Sequence, residues 1–123
     1  MKTPEEALAA LRLKVEWSGF PPLRAPRFRQ EEARRTLSRA GEELLEGRLS
    51  EALEILTALV KEGSDGAEAA ALQNIIAYCH LEAADCETAK GAYMQALDMG
   101  RRAGDAAVQL DALVGISVAE ARL

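Results

Sequence analysis

The sequence predicts an all-α fold in which antiparallel helical hairpins are stacked side by side. Three observations predict it: an apolar period near 3.6 residues, capping and turn residues between short helical stretches, and an alanine- and leucine-rich composition with only 4% aromatics. The pattern also repeats, because Ala52 and Ala89 hold equivalent places 37 residues apart. Such a period is typical of stacked helical repeats. We therefore expect a short α-solenoid preceded by an N-terminal helix.

Size and charge divide the 123 residues into an arm, residues 1–30, and a repeat domain, residues 31–123. Residues 1–39 carry a net charge of +4 and residues 40–123 a net charge of −9. An acidic body argues against general binding to a phosphate backbone, which needs clustered Lys and Arg. No apolar stretch is long enough to span a membrane, and charges interrupt the first seventeen residues. We expect a cytoplasmic protein.

The N-terminal arm begins with a strong helix start. Thr3 is placed to cap, proline follows at the first helical position, and Glu6 completes a capping box, so a helix is expected to about Trp17. Residues 18–30 contain three prolines and cannot be helical throughout. Apolar side chains alternate there with arginines: Phe20, Leu23 and Phe28. The arm either packs on its own domain or docks on another chain, and the sequence leaves both open.

Start and stop signals predict five helices after the arm. The first is expected from about Gln30 to Gly47, the second from a Ser50 cap to Gly63, the third from an Asp65 cap to about Ala83, the fourth from an Asp85 cap to Gly104, and the last from an Asp105 cap to the chain end. Asp98 and Arg102 are spaced for an ion pair on the fourth helix. Connections this short force neighbouring helices to be antiparallel.

These residues resemble the tetratricopeptide repeat family. The first copy carries Leu37, Ala40, Gly41, Leu44, Gly47, Ala52 and Leu56; the second carries Ile76, Ala77, Ala84, Ala89 and Tyr93; the third carries Val114 and Gly115. The resemblance covers residues 34–123, or about 2.5 repeats. It departs from the family in its longer spacing, in Gln73 where an aromatic is usual, and in His80 where tyrosine is usual.

The resemblance implies a concave groove that binds a peptide or helix of another protein. By repeat position, the partner-groove residues are Arg35, Ser38, Glu42, Leu45, Asn74, Tyr78, Leu81, Gln109, Ala112 and Ile116. The function implied is that of a non-enzymatic adaptor or small chaperone. The basic residues that read a chaperone tail's terminal carboxylate are missing from most of these positions, so we do not predict that activity.

The sequence offers little for catalysis or metal binding. His80 is the only histidine, and no phosphate-binding glycine loop or nucleophile elbow is present. Cys79, His80 and Cys86 lie close together, but zinc sites usually need four ligands. We favour two buried free thiols, with a disulfide or a metal site as the alternatives. No enzyme activity and no cofactor are predicted.

The last helix is apolar around most of its circumference and therefore needs cover. Either the arm folds over it or a second copy of the chain packs against it, as a homodimer. The self-association residues are Val108, Leu110, Leu113, Val114, Val118 and Leu123. A homodimeric scaffold element is therefore an alternative function. A nucleic-acid accessory role is a less favoured one, through Arg24, Arg27, Arg29, Arg34, Arg35 and Arg39.

Overall fold

The computed structural model describes residues 31–61 and 66–123. In these two ranges the chain forms five α-helices and no strand. The helices are α1 (Glu31–Leu45), α2 (Leu49–Lys61), α3 (Gly66–Glu82), α4 (Cys86–Ala103) and α5 (Ala106–Arg122). The prediction of an all-α protein is confirmed. The predicted N-terminal helix and arm, and the predicted boundary residues Gly63 and Asp65, lie outside the described residues.

Three connections between helices are the same turn. Each contains one residue with left-handed backbone: Gly47 (φ +79°), Ala84 (φ +64°) or Gly104 (φ +68°). The N–H of that residue donates to the carbonyl three residues back, and the next N–H donates to the carbonyl five residues back, at 2.9–3.1 Å. These paired bonds satisfy carbonyls that the end of a helix leaves unpaired. Each turn therefore reverses the chain with the same geometry.

The predicted caps of the last two helices are confirmed. Asp85 Oδ1 accepts from Thr88 N at 3.3 Å, and Asp105 Oδ1 accepts from Val108 N at 3.0 Å. The hydrogen bonds from Thr88 hold the pKa of Asp85 below its usual value. The predicted Ser50 cap is wrong, because α2 begins at Leu49 and Ala52 N already donates to the Arg48 carbonyl at 3.1 Å. Arg48 instead forms ion pairs with Glu43, near the end of α1, and with Glu46, in the turn between the helices.

The core is organised around α3. Its residues take part in three apolar clusters. The first cluster also contains residues of α1 and α2, the second contains residues of α4 and α5 around Tyr93, and the third contains Val108 at the start of α5 with Met99 near the end of α4. It packs against α2, α4 and α5. Each large apolar side chain fully buried in these clusters contributes about 1.5–3 kcal/mol to the free energy of unfolding. Because α3 has neighbours on several sides, apolar residues around its whole circumference are buried.

Helices α4 and α5 approach each other closely at Gly115. A Cβ at this position would lie within 3.0 Å of three ring carbons of Tyr93. The ring of Tyr93 thus occupies the space that a side chain on Gly115 would need. At the edge of the same interface, Lys90 Nζ lies 3.1 Å from Glu120 Oε1. Glycine here allows the tyrosine ring to be buried between the two helices.

Candidate functional site

A polar stripe lies along one face of the most buried helix. Asn74, Tyr78 and Glu82 follow one another at intervals of four residues on α3, so their side chains share one face. Asn74 and Tyr78 are buried and Glu82 is half-buried. A helix in a purely apolar core has no need of such a row, because burying polar groups costs free energy unless they are hydrogen-bonded. We call these three residues the α3 polar stripe.

Asn74 links α3 to the start of α5. Its Nδ2 donates to the Val108 carbonyl at 3.3 Å, whereas its Oδ1 is buried and has no hydrogen-bond partner. An amide oxygen can accept two hydrogen bonds, so one buried end of this side chain is unsatisfied. Leaving a buried acceptor unpaired costs about 1–3 kcal/mol. The Asn74 oxygen is therefore available to a donor that reaches it.

Tyr78 and Glu82 are hydrogen-bonded to each other. Burial raises the pKa of the Tyr78 hydroxyl, and the negative charge of Glu82 and the hydrogen bond to it raise that pKa further. The second carboxylate oxygen, Glu82 Oε2, is buried and has no hydrogen-bond partner. The stripe thus contains two unsatisfied acceptors, one neutral and one on a carboxyl group. A group that completed it would have to supply hydrogen-bond donors.

The predicted groove residues differ widely in exposure. Ser38, Asn74, Tyr78, Leu81 and Ala112 are buried; Glu42, Leu45, Gln109 and Ile116 are half-buried; Arg35 is exposed. Asn74 and Tyr78 come together on the α3 polar stripe, whereas Gln109 Nε2 is held at the α4–α5 turn by the carbonyls of Gly100 and Asp105. Arg35 forms an ion pair with Glu31 at 2.8 Å. These residues therefore line no single open surface.

Glu82 was not among the predicted groove residues. Its signal in the sequence is its position, four residues after Tyr78 and eight after Asn74, where the polar face of the helix continues. The repeat pattern assigns a groove position to Leu81 instead, and Leu81 is buried in the cluster that α3 shares with α4 and α5. The four-residue spacing along the helix face indicates Glu82, whereas the repeat pattern does not.

The two thiols are poorly suited to chemistry. Both are free; Cys79 is buried, as predicted, but Cys86 is only half-buried. Burial raises the pKa of the Cys79 thiol to about 12, whereas reactive cysteines have lowered pKa values and some exposure. Within residues 31–61 and 66–123, no three His, Cys, Asp or Glu side chains are grouped to hold a metal ion.

The predicted self-association residues fall into two groups. Leu110, Leu113, Val114 and Leu123 are exposed, whereas Val108 is buried and Val118 is half-buried against the cluster containing Tyr93. The outer side of α5 therefore carries exposed apolar side chains that the other described helices do not cover. None of the helices in the described part of the chain is both long enough and apolar enough to cross a bilayer.

Comparisons with known proteins found no match: no protein-family model, no curated protein and no solved structure is significantly similar to this chain. The resemblance to tetratricopeptide repeats, which rests on residues of this sequence, therefore stays a prediction.

Proposed function

We propose that this protein is a non-enzymatic protein–protein interaction module that binds a basic peptide or helix of a partner along the α3 polar stripe. The observation that carries the proposal is the pair of buried, unsatisfied acceptors, Asn74 Oδ1 and Glu82 Oε2. Arginine and lysine side chains are donors without an acceptor, and peptide N–H groups are donors too. A basic segment therefore has the chemistry that completes this stripe.

The helix arrangement supports the proposal. Helix α3 packs on α2 and α4, and it also packs on α5, two helices further along the chain. Contact between alternate helices is expected in a stack of hairpins, where the first helices of successive hairpins line one concave side. The stripe lies on such a first helix. In a tetratricopeptide-like module this is the side on which an extended peptide or a helix binds.

Burial of the acceptors affects the rate of binding. Both oxygens are inaccessible to water, so a ligand reaches them only when the side chains above them move aside. Association that requires such a rearrangement is slower than the usual 10⁵–10⁷ M⁻¹s⁻¹, by about tenfold or more. The partner is expected to dissociate slowly as well, because its buried donors are shielded from water.

A peptide selection tests the proposal. We would select from a random library of dodecapeptides displayed on phage against the immobilised full-length protein, and measure the affinity of the enriched peptide by fluorescence anisotropy. We expect arginine- and lysine-containing peptides. Glu82→Gln keeps the side-chain shape but removes the charge, and loss of a charge-assisted hydrogen bond of about 1.5–3 kcal/mol weakens binding about tenfold to a hundredfold.

Glu87→Gln is the matched control, because it makes the same change at an exposed position in the first turn of α4. It is expected to change the affinity by no more than about twofold relative to the wild type, because an exposed charge contributes little. Enrichment of peptides without basic residues, or equal affinities for the Glu82→Gln and Glu87→Gln proteins, would contradict the proposal. Failure to enrich any peptide would count against it too.

A further inference from the structure

The chain itself contains a basic segment of the kind that the α3 polar stripe is proposed to bind. The charged residues of the segment 18–30 are three arginines, Arg24, Arg27 and Arg29, and none is acidic. Residues 40–123, by contrast, carry a net charge of −9. Arginine offers only hydrogen-bond donors, whereas the two unsatisfied atoms of the stripe are acceptors. The segment and the stripe are therefore complementary in charge and in hydrogen bonding.

The spacing of two of these arginines matches the spacing of the two acceptors. Asn74 and Glu82 are eight residues apart on α3 and thus about 12 Å apart along the helix axis. Arg24 and Arg27 are three residues apart in a segment with three prolines, a composition that favours polyproline II. Three residues make one turn of that conformation, so these two side chains would lie on the same side, about 9 Å apart. Their length and flexibility make up the small difference.

The point where the segment joins the helices brings each arginine level with one acceptor. The segment leads into Glu31, where α1 begins. Helices α1 and α3 are parallel, because short connections make each of them antiparallel to α2. Asn74 and Glu82 lie about 12 and about 24 Å from the start of α3. Arg27 and Arg24 come about 12 and about 22 Å before Glu31 in a polyproline II chain that runs back along the two helices.

We propose that residues 18–30 bind along the α3 polar stripe of their own chain, with Arg24 donating to Glu82 and Arg27 donating to Asn74, and that a partner must displace them. This proposal rests on the proposed function, since it assigns the basic ligand of the stripe in the free protein to the arm. The direct connection to α1 gives the segment an effective concentration of about millimolar at the stripe. The arm is then an autoinhibitory segment, because only molecules with an open stripe bind a partner.

A tryptophan placed beside Arg24 tests whether the segment is bound. Trp17 is the only tryptophan, so Trp17→Phe combined with Leu23→Trp leaves a single fluorophore inside the segment. We would measure its quenching by acrylamide in the full chain at about 1 and about 100 μM protein. We expect less quenching than in the urea-unfolded protein, and the same quenching at both concentrations, because the contact lies within one chain. Full exposure, or protection only at the higher concentration, which would place the segment on another copy, would overturn the proposal.

Charge reversals in this background locate the contact on the stripe. Glu82→Lys is expected to lower the ratio of bound to unbound segment about tenfold or more, and quenching rises accordingly. Glu87→Lys is the matched control, because it makes the same change at an exposed position in the first turn of α4. Arg24→Glu is expected to act like Glu82→Lys, whereas Arg12→Glu, outside the segment, leaves quenching unchanged.

The double variant Arg24→Glu, Glu82→Lys restores opposite charges and is expected to restore protection of the tryptophan. Equal effects within either matched pair, or a folded double variant without restored protection, would overturn the proposal. Circular dichroism checks that each variant is helical. If Glu82→Lys does not fold, the pair Arg24→Glu and Arg12→Glu decides the question, since neither change lies in the helical domain.

The basic peptide enriched in the selection separates this proposal from the proposed function. Arg24→Gln opens the stripe in more molecules and is expected to tighten peptide binding about tenfold, whereas Arg12→Gln changes it by no more than about twofold. Peptide binding that depends on Glu82 but does not respond to Arg24→Gln would overturn this proposal and leave the proposed function standing. A tryptophan released by Glu82→Lys, in a protein that binds no peptide, would support the contact with the arm and count against the proposed function.

Discussion

Helices α3 and α5 are alike in length and in the spread of their apolar residues but differ in their surroundings. Each has 17 residues, and each spreads apolar residues around most of its circumference. Helix α3 packs against α2, α4 and α5, whereas the neighbours of α5 among the described helices are α3 and α4. The same kind of helix is therefore buried in one place and half-uncovered in the other. The number of helices packed around such a helix, and not its composition, decides how much of it is exposed.

The comparison also concerns polar groups. On α3 the polar stripe is enclosed, and two of its acceptors have no partner. On the outer side of α5, the exposed apolar side chains of Leu110, Leu113 and Val114 lie beside Glu120, which pairs with Lys90 of α4. Helix α3 thus has polar atoms where water cannot reach, and α5 has apolar atoms where water can. For α3, the mismatch points to a binding event, which we propose to be with a donor-rich ligand.

The largest expected effect comes from truncating one leucine on each of the two helices. Leu72 on α3 is 0% exposed and Leu110 on α5 is 61% exposed. Leu72→Ala leaves a cavity and is expected to lower the free energy of unfolding by about 2–5 kcal/mol. Leu110→Ala is expected to change the free energy of unfolding by less than about 0.5 kcal/mol, because the side chain is exposed. Both values would be measured by urea unfolding at a low protein concentration. Similar losses from both substitutions would mean that α5 is covered in solution.

A pair of glycines tests the buried side of α5. Gly115→Ala puts a methyl group into the ring of Tyr93, and overpacking of this kind is expected to cost about 1–3 kcal/mol. Gly91→Ala makes the same change at an exposed position within α4, where a Cβ would have nothing within 4 Å. Replacing this helical glycine is expected to stabilise the protein by about 0.5–1 kcal/mol. The melting temperatures of the two variants should therefore move in opposite directions, and a tolerated Gly115→Ala would show that Tyr93 is free to shift.

Alkaline pH tests the burial of the Cys79 thiol on α3. Burial raises the pKa of the Cys79 thiol from about 9 to about 12, and it also raises the pKa of the neighbouring Tyr78. The folded state therefore favours the neutral thiol, and this stabilisation is full below pH 9 and is lost as the pH rises toward 12. Each such group lowers the free energy of unfolding by up to about 1.4 kcal/mol per pH unit within this window. Urea unfolding of the wild type and Cys79→Ala at about pH 8 and pH 10.5 is expected to show a shallower pH dependence for the variant; equal dependence would mean that Cys79 does not titrate with folding.

Local signals explain why most helix boundaries could be predicted from the sequence. Asp85 and Asp105 cap their helices through bonds that reach only three residues ahead, and Gly47 and Gly104 adopt the left-handed backbone expected of them. The predicted Ser50 cap was wrong because Ser50 lies just inside α2. In the turn before it, Arg48 forms ion pairs with Glu43 and Glu46. A capping residue alone does not fix a boundary when ion pairs across the turn compete with it.

The remaining features depend on contacts that no local pattern contains. The side of α5 that faces outward is determined by where α3 and α4 pack. The sequence therefore predicted the exposed Leu110, Leu113 and Val114 but could not separate them from the buried Val108 and the half-buried Val118. The close approach of Tyr93 to Gly115 joins two helices, and nothing near either residue indicates it. The groove residues were assigned from repeat position, which placed Leu81 on a surface although its side chain faces the core.

The left-handed backbone of Ala84 has a consequence for how the chain folds. A residue with a Cβ pays about 1–2 kcal/mol for this conformation, whereas the glycines of the other two turns do not. The reversals at Gly47 and Gly104 are thus favoured by their own residues. The reversal at Ala84 is held in place by the packing of α3 on α4. We therefore expect the middle of this domain to take its shape late, after the two ends have begun to form.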